Sequence, residues 1–206
     1  MPEWFVKGGP VMWPILGCSV MALTAMLERA IFWWGVRRES SQECIRAVIE
    51  RTERGDYEGA LRLASASSDP TAQVLAAGLS QRDHGLRESL EAAAGDSIEH
   101  MKRGLSVLDT VITLAPLLGI LGTVLGIIES FDLLGQSGIQ DPKAVTSGIA
   151  QALITTAAGL VVAISTLVPF NYFVGRVQRA TKRLENVLTQ FELAYRKGTE
   201  ANDAAQ

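Results

Sequence analysis

The chain has 206 residues, 48% of them hydrophobic and 20% charged, with a net charge of −3. So small a charge, with no basic groove interleaved with aromatics, argues against a nucleic-acid partner. Two cysteines, Cys18 in an apolar stretch and Cys44 in a polar one, give neither a disulfide pair nor a metal spacing, and with no nucleophile set, metal box or phosphate loop no metal or cofactor is expected.

Charged side chains are absent from residues 10–27, 111–128 and 145–175 and dense between them. Each window can cross roughly 30 Å of hydrocarbon at about 1.5 Å per residue, the third with tilt or an extension beyond the bilayer. The pattern predicts an all-α integral membrane protein with three transmembrane helices. In chain order it predicts a short outer N-terminus (1–9), a first transmembrane helix (10–36), a cytoplasmic helical region (37–107), a second transmembrane helix (108–131), a short outer loop (132–146), a third transmembrane helix (147–173), a cytoplasmic helical extension (174–197) and a disordered tail (198–206). Glu3 and Lys7 make a poor signal-peptide n-region, and no small-residue cleavage site precedes Glu28 and Arg29, so the first window is expected to be a retained anchor.

Arg29, Arg37 and Arg38 end the first span, Lys102 and Arg103 precede the second, and Arg176, Arg179, Lys182 and Arg183 follow the third. The loop between the second and third offers Lys143 against Asp132 and Asp141. The positive-inside rule then places 37–107 and the C-terminus in the cytoplasm, with Trp33 and Trp34 suited to that interface and Trp4 and Trp13 to the opposite one. Ala, Leu, Glu and Arg dominate the cytoplasmic region, which reads as helices at about 40–54, 57–66, 71–81 and from Leu86 onward, with GDY at 55–57 and SSDP at 67–70 as turns. The stripe from Leu86 to Leu108 has no strong stop and is expected to enter the second span unbroken. The stripe Phe173, Val177, Ala180, Leu184, Val187, Leu188 and Phe191 carries the third span outward, so two long helices form a self-associating stalk.

No span centre contains an ionisable residue. Glu28 and Arg29 at the end of the first span are candidates for interface charges, with snorkelling or mutual pairing as the plainer reading. Glu129 at the outer end of the second is either a hydrated carboxylate or a proton collector at an outer mouth. His84 and His100 read as surface residues. What remains is small and hydroxylated. At 100° per residue, Pro116, Gly119, Thr123 and Ile127 lie near one line, and Gly122 and Gly126 form a small-xxx-small pair beside it. In the third span Gly148, Ala152, Thr155 or Thr156, Gly159 and Ala163 make a similar stripe. Close packing, with each threonine bonded to its own helix, accounts for any single position. Two such faces at similar depth favour a polar-lined seam. Such a seam can hold water and guide protons but cannot titrate, so another chain would have to supply the carboxylate.

LAPLLGILGTVLGIIESF (114–131) and GIAQALITTAAGLVVAI (148–164) resemble the two signature segments of the MotA/TolQ/ExbB proton-channel family, and LER at 27–29 resembles the end of its first helix. Order, spacing, short outer loop and topology correspond along nearly the whole chain. The compact length and the DPK of the outer loop are closer to the ExbB branch, and a MotA would carry a fourth span. The resemblance implies a homo-pentameric ring in a bacterial inner membrane, N-terminus periplasmic and C-terminus cytoplasmic, with membrane lipid around it. The second and third helices would line a pore holding a dimer of single-span ExbD/TolR-type subunits whose aspartate protonates, and a TonB-like protein would take up the work for outer-membrane uptake. A TolQ-like subunit of the Tol–Pal envelope system and a non-conducting membrane scaffold are the alternatives. On this resemblance Thr123, Thr156, Thr155 and Gln151 are the pore-lining candidates, with Pro116, Gly119, Gly122, Gly126, Gly148, Ala152 and Gly159 as pore-wall packing. Two departures stand out. Gln151 in AQAL replaces a glutamate the family carries in a motif like AEAL, and Ser165 stands where proline often follows AI, with proline deferred to Pro169.

Overall fold

The computed structural model describes residues 3–39, 42–82, 85–137 and 142–204, and they contain helices and turns with no strand among them. The elements are α1 (Glu3–Lys7), α2 (Met12–Glu39), α3 (Gln42–Glu53), α4 (Tyr57–Ser65), α5 (Pro70–Ser80), α6 (Leu86–Lys102), α7 (Leu105–Ser137) and α8 (Pro142–Ala204). Three stretches, in α2, α7 and α8, are long and apolar enough to cross a membrane, and only 22%, 28% and 22% of their most apolar windows is buried within the chain. The exposed remainder includes Leu117, Ile120, Leu121, Leu153, Val161 and Ile164, side chains that water would not tolerate in such numbers. The fold is that of an all-α integral membrane protein with three spans.

The chain divides into two compact units, one of Met1–Arg29 with Gly104–Phe173 and one of Ala30–Arg103 with Val174–Gln206. In the first, glycines let α7 and α8 touch backbone to backbone. A Cβ on Gly119 would lie 3.0 Å from Thr156 Cα, and one on Gly126 would lie 2.8 Å from the Gly148 carbonyl oxygen. Without a hydrophobic drive between helices in lipid, this close approach is what allows dense van der Waals contact. Val11, Met12 and Ile15 pack with Phe5, Leu118, Ala158 and Val162, which seats the start of α2 on one side of the pair.

The second unit has an aqueous-type core of Ile45, Val48, Ala60, Ala64, Val74, Leu75, Leu79 and Leu90, joined by Leu184 and Phe191 from α8. Its helices start where the turn residues direct. Asp56 accepts from the Gly59 amide at 2.9 Å, and Asp69 from the Thr71 amide at 2.8 Å with Pro70 behind it. These caps satisfy amides that the first turn leaves unbonded.

One expectation is corrected. The helix from Leu86 does not run into the second span: Arg103 is extended (φ −51°, ψ 139°) and Gly104 is left-handed (φ +77°), so α6 ends and α7 begins anew. The basic last turn of His100 and Lys102 followed by glycine is a helix stop, since glycine alone takes that φ without a Cβ penalty. At the other end of the chain, α8 continues to Ala204. Tyr57 and Thr199 share a hydroxyl hydrogen bond of 3.1 Å, and Lys197 pairs with Glu53 at 3.0 Å, which ties the last turns to α3 and α4. His84, residues 138–141 of the outer loop with Asp141, and residues 205–206 lie outside the described residues.

Candidate functional site: the hydroxyl edge of the α7–α8 seam

The seam is built from positions that spend side-chain volume to gain proximity. Gly119, Gly122 and Gly126 of α7 face Gly148, Ala152, Thr155 and Gly159 of α8, and all seven are buried. Thr155 fills the gap that Gly122 leaves: a Cβ there would lie 2.6 Å from Thr155 Cβ. The Thr155 hydroxyl donates within its own helix, to Ala152 O at 2.9 Å and Gln151 O at 3.2 Å, and the residue is 1% exposed. Thr155 is therefore the packing threonine.

Thr123 and Thr156 are different. Their hydroxyls contact each other across the two helices, and both donate to one acceptor, the Gly119 carbonyl, at 3.1 Å and 3.0 Å. The Thr123 hydroxyl also reaches the Ala152 carbonyl at 3.3 Å. Both side chains are half-buried, at an edge of the seam and not at its centre. Each hydroxyl has one proton and two lone pairs, so the pair has capacity left for water or an incoming donor after these bonds are made. Pro116, half-buried one turn before Gly119, has no amide to give to the α7 ladder, which leaves the Ile112 carbonyl without its usual intrahelical partner.

Gln151 does not join this pair. At 3.6 residues per turn, Glu129 lies about 120° around α7 from Thr123, and Gln151 about 140° around α8 from Thr156. The two meet on the opposite edge, where Gln151 Nε2 donates to Glu129 Oε2 at 3.4 Å. Gly9 closes over them: its φ is +70°, and a Cβ would sit 2.8 Å from Gln151 Cδ. Leu118, Ala158 and Val162, which pack on Val11, Met12 and Ile15, lie along this same side. One edge of the seam thus carries the threonine pair, and the other carries Glu129 and Gln151 under the N-terminal turn.

Glu28 and Arg29 pair with each other, Arg29 Nε donating to Glu28 Oε2 at 2.6 Å, with Arg29 1% and Glu28 53% exposed. They lie beside Gly104, where a Cβ would be 3.4 Å from Glu28 Oε2. His100 stacks edge-on against Phe32, 5.3 Å between ring centres. Ser130 was not singled out by the sequence reading. It is buried, donates to Gly126 O at 2.8 Å and abuts Gly148. Its signal was the seven-residue step from Thr123, about 20° from the same line.

Residues 66–186 match the family model described as the MotA/TolQ/ExbB proton channel family. The chain is similar to a biopolymer transport protein, ExbB-like 1, of Synechocystis sp., with 37% identity over 200 residues that cover 94% of this chain and 78% of that protein. Similarity extends to an ExbB homolog of Methanothermobacter thermautotrophicus, at 32% over 186 residues covering 89% and 66%, and to the biopolymer transport protein exbB1 of Vibrio cholerae, at 29% over 198 residues covering 90% and 84%.

Proposed function

The chain belongs to the MotA/TolQ/ExbB proton channel family, and from that premise we propose that it is the ring subunit of a proton-driven motor in a bacterial inner membrane. Five copies surround a dimer of ExbD-type single-span subunits, and the motion that protons drive there energises a TonB-like protein for outer-membrane uptake. The observation that carries this reading is the Thr123–Thr156 pair on a shared Gly119 carbonyl, at the edge of the seam away from the α2 start. That edge is the pore edge in this reading. It conducts by passing a proton between hydroxyls, water and the partner's carboxylate, which takes up and releases it. Gln151 and Glu129 sit on the other edge and hold the N-terminal turn. A potential of roughly 100 mV is worth roughly 2.3 kcal/mol per charge, so a large stroke needs several protons.

The test is proton flux into liposomes holding the chain with its single-span partner. Thr123→Val with Thr156→Val keeps the shape and removes both hydroxyls; the complex should assemble and flux should fall at least tenfold. Unchanged flux would sink the pore role. The scaffold reading has one observation in its favour, that each threonine already has a carbonyl acceptor within the seam. A TolQ-like role in the Tol–Pal system differs in its downstream partner, and the ExbB names of the relatives favour the TonB-type reading.

A further inference from the structure

In the second unit, Arg176, Arg179, Lys182 and Arg183 crowd into residues 176–183, and no Asp or Glu occurs from 142 to 184. Four of the other cations of this unit are matched: Arg51 with Asp56, Arg62 with Glu58, Arg87 with Glu91 and Lys197 with Glu53. Among the described residues no carboxylate pairs with the four at 176–183. The three arginines fall within an arc of about 60° on α8, turned away from the buried stripe of Val177, Leu184 and Phe191.

Contacts place two of the guanidiniums. Arg176 lies over the Trp33 ring, 5.0 Å from its centre. Arg179 folds back along its own helix beside Gly175, where an added Cβ would be 3.5 Å from its Nη1. Trp33 is 6% exposed, and its indole N–H is buried without an acceptor. An unmet donor next to an unpaired guanidinium is the chemistry of an anion site whose anion comes from outside the chain. Trp33 has Trp34 next to it on α2, 74% exposed, so the site borders apolar surface where indoles collect at headgroup depth.

We infer that Arg176 and Arg179, with Trp33 as the platform for Arg176, hold the phosphate of an anionic phospholipid. A soluble phosphate would gain nothing from the exposed Trp34, whereas a lipid lays a chain on it. The inference does not depend on proton conduction. The probe is phosphatidylglycerol in phosphatidylcholine nanodiscs, read as lipid retained by the purified full chain in native mass spectrometry. Phosphatidylglycerol should be retained in preference to phosphatidylcholine and should not be displaced by inorganic phosphate. Arg176→Gln and Arg179→Gln should each weaken retention about fivefold. The double Arg→Lys variant should keep most of it, and Arg87→Gln should change nothing. Equal retention of the two lipids, displacement by inorganic phosphate, or a double Gln variant that folds and holds phosphatidylglycerol as the parent does would overturn the inference.

Discussion

Gly119→Ala concentrates the structural argument into one methyl group. The new Cβ would lie 3.0 Å from Thr156 Cα and 3.1 Å from the Thr155 carbonyl oxygen, both backbone atoms that cannot rotate away. Carbon contacts are comfortable at about 3.5–4.0 Å, so α7 and α8 must part by about 0.5–1 Å at this level. That displacement stretches the Thr156 hydrogen bond to Gly119 O from its 3.0 Å beyond useful range and separates the two hydroxyls. Overpacking of this kind costs about 1–3 kcal/mol, the more because the contact is with backbone. The assay is thermal unfolding in detergent alongside proton flux with the partner subunit. Stability and flux should both fall, whereas Gly17→Ala, whose Cβ meets nothing within 4 Å, should leave both near the parent values. A Gly119→Ala protein as stable and as conductive as the parent would refute the claim that close approach at Gly119 builds the site.

Gln151→Glu sets a second carboxylate against Glu129 beneath Gly9. The N-terminal segment should become more accessible to protease, and Glu129→Gln in the same chain should restore its protection; no change in the single variant would count against the contact. Gly104→Ala forces a Cβ into a left-handed φ of +77° beside Glu28, and unfolding measurements should show a loss of about 1–2 kcal/mol. Phe191→Ala empties a fully buried position in the second unit's core and should cost about 3–5 kcal/mol, read by calorimetry.

Much of this was legible in the sequence. The spans follow from charge-free windows, because hydrocarbon excludes ions. Asp56 and Asp69 announce helix starts by their position before apolar runs, and the glycines of α7 and α8 announce a close seam. The edges of that seam were harder. Thr155 and Thr156 differ by 100° on a helix whose neighbour's position no local pattern reveals, and only Gly122 shows which of them packs inward. Gln151 was grouped with the threonines on family likeness, yet its surroundings depend on Gly9, more than a hundred residues away in sequence. The break at Gly104 was readable as a basic turn ending in glycine but was masked by the apolar stripe continuing across it. The contacts of Thr199 with Tyr57 and of Lys197 with Glu53 are ones that small polar composition does not disclose.

The most direct test compares proton flux through the assembled complex for the parent, Thr123→Val, Thr156→Val and Thr155→Val. The hydroxyls of Thr123 and Thr156 share one carbonyl at the open edge, while that of Thr155 is buried within the seam. Flux should drop at least tenfold for Thr123→Val and Thr156→Val, with the double variant little worse than either, because the two act as one unit. Thr155→Val should conduct within a few-fold of the parent. Loss of flux in Thr155→Val alone, with Thr123→Val and Thr156→Val conducting normally, would contradict the assignment of the pore edge.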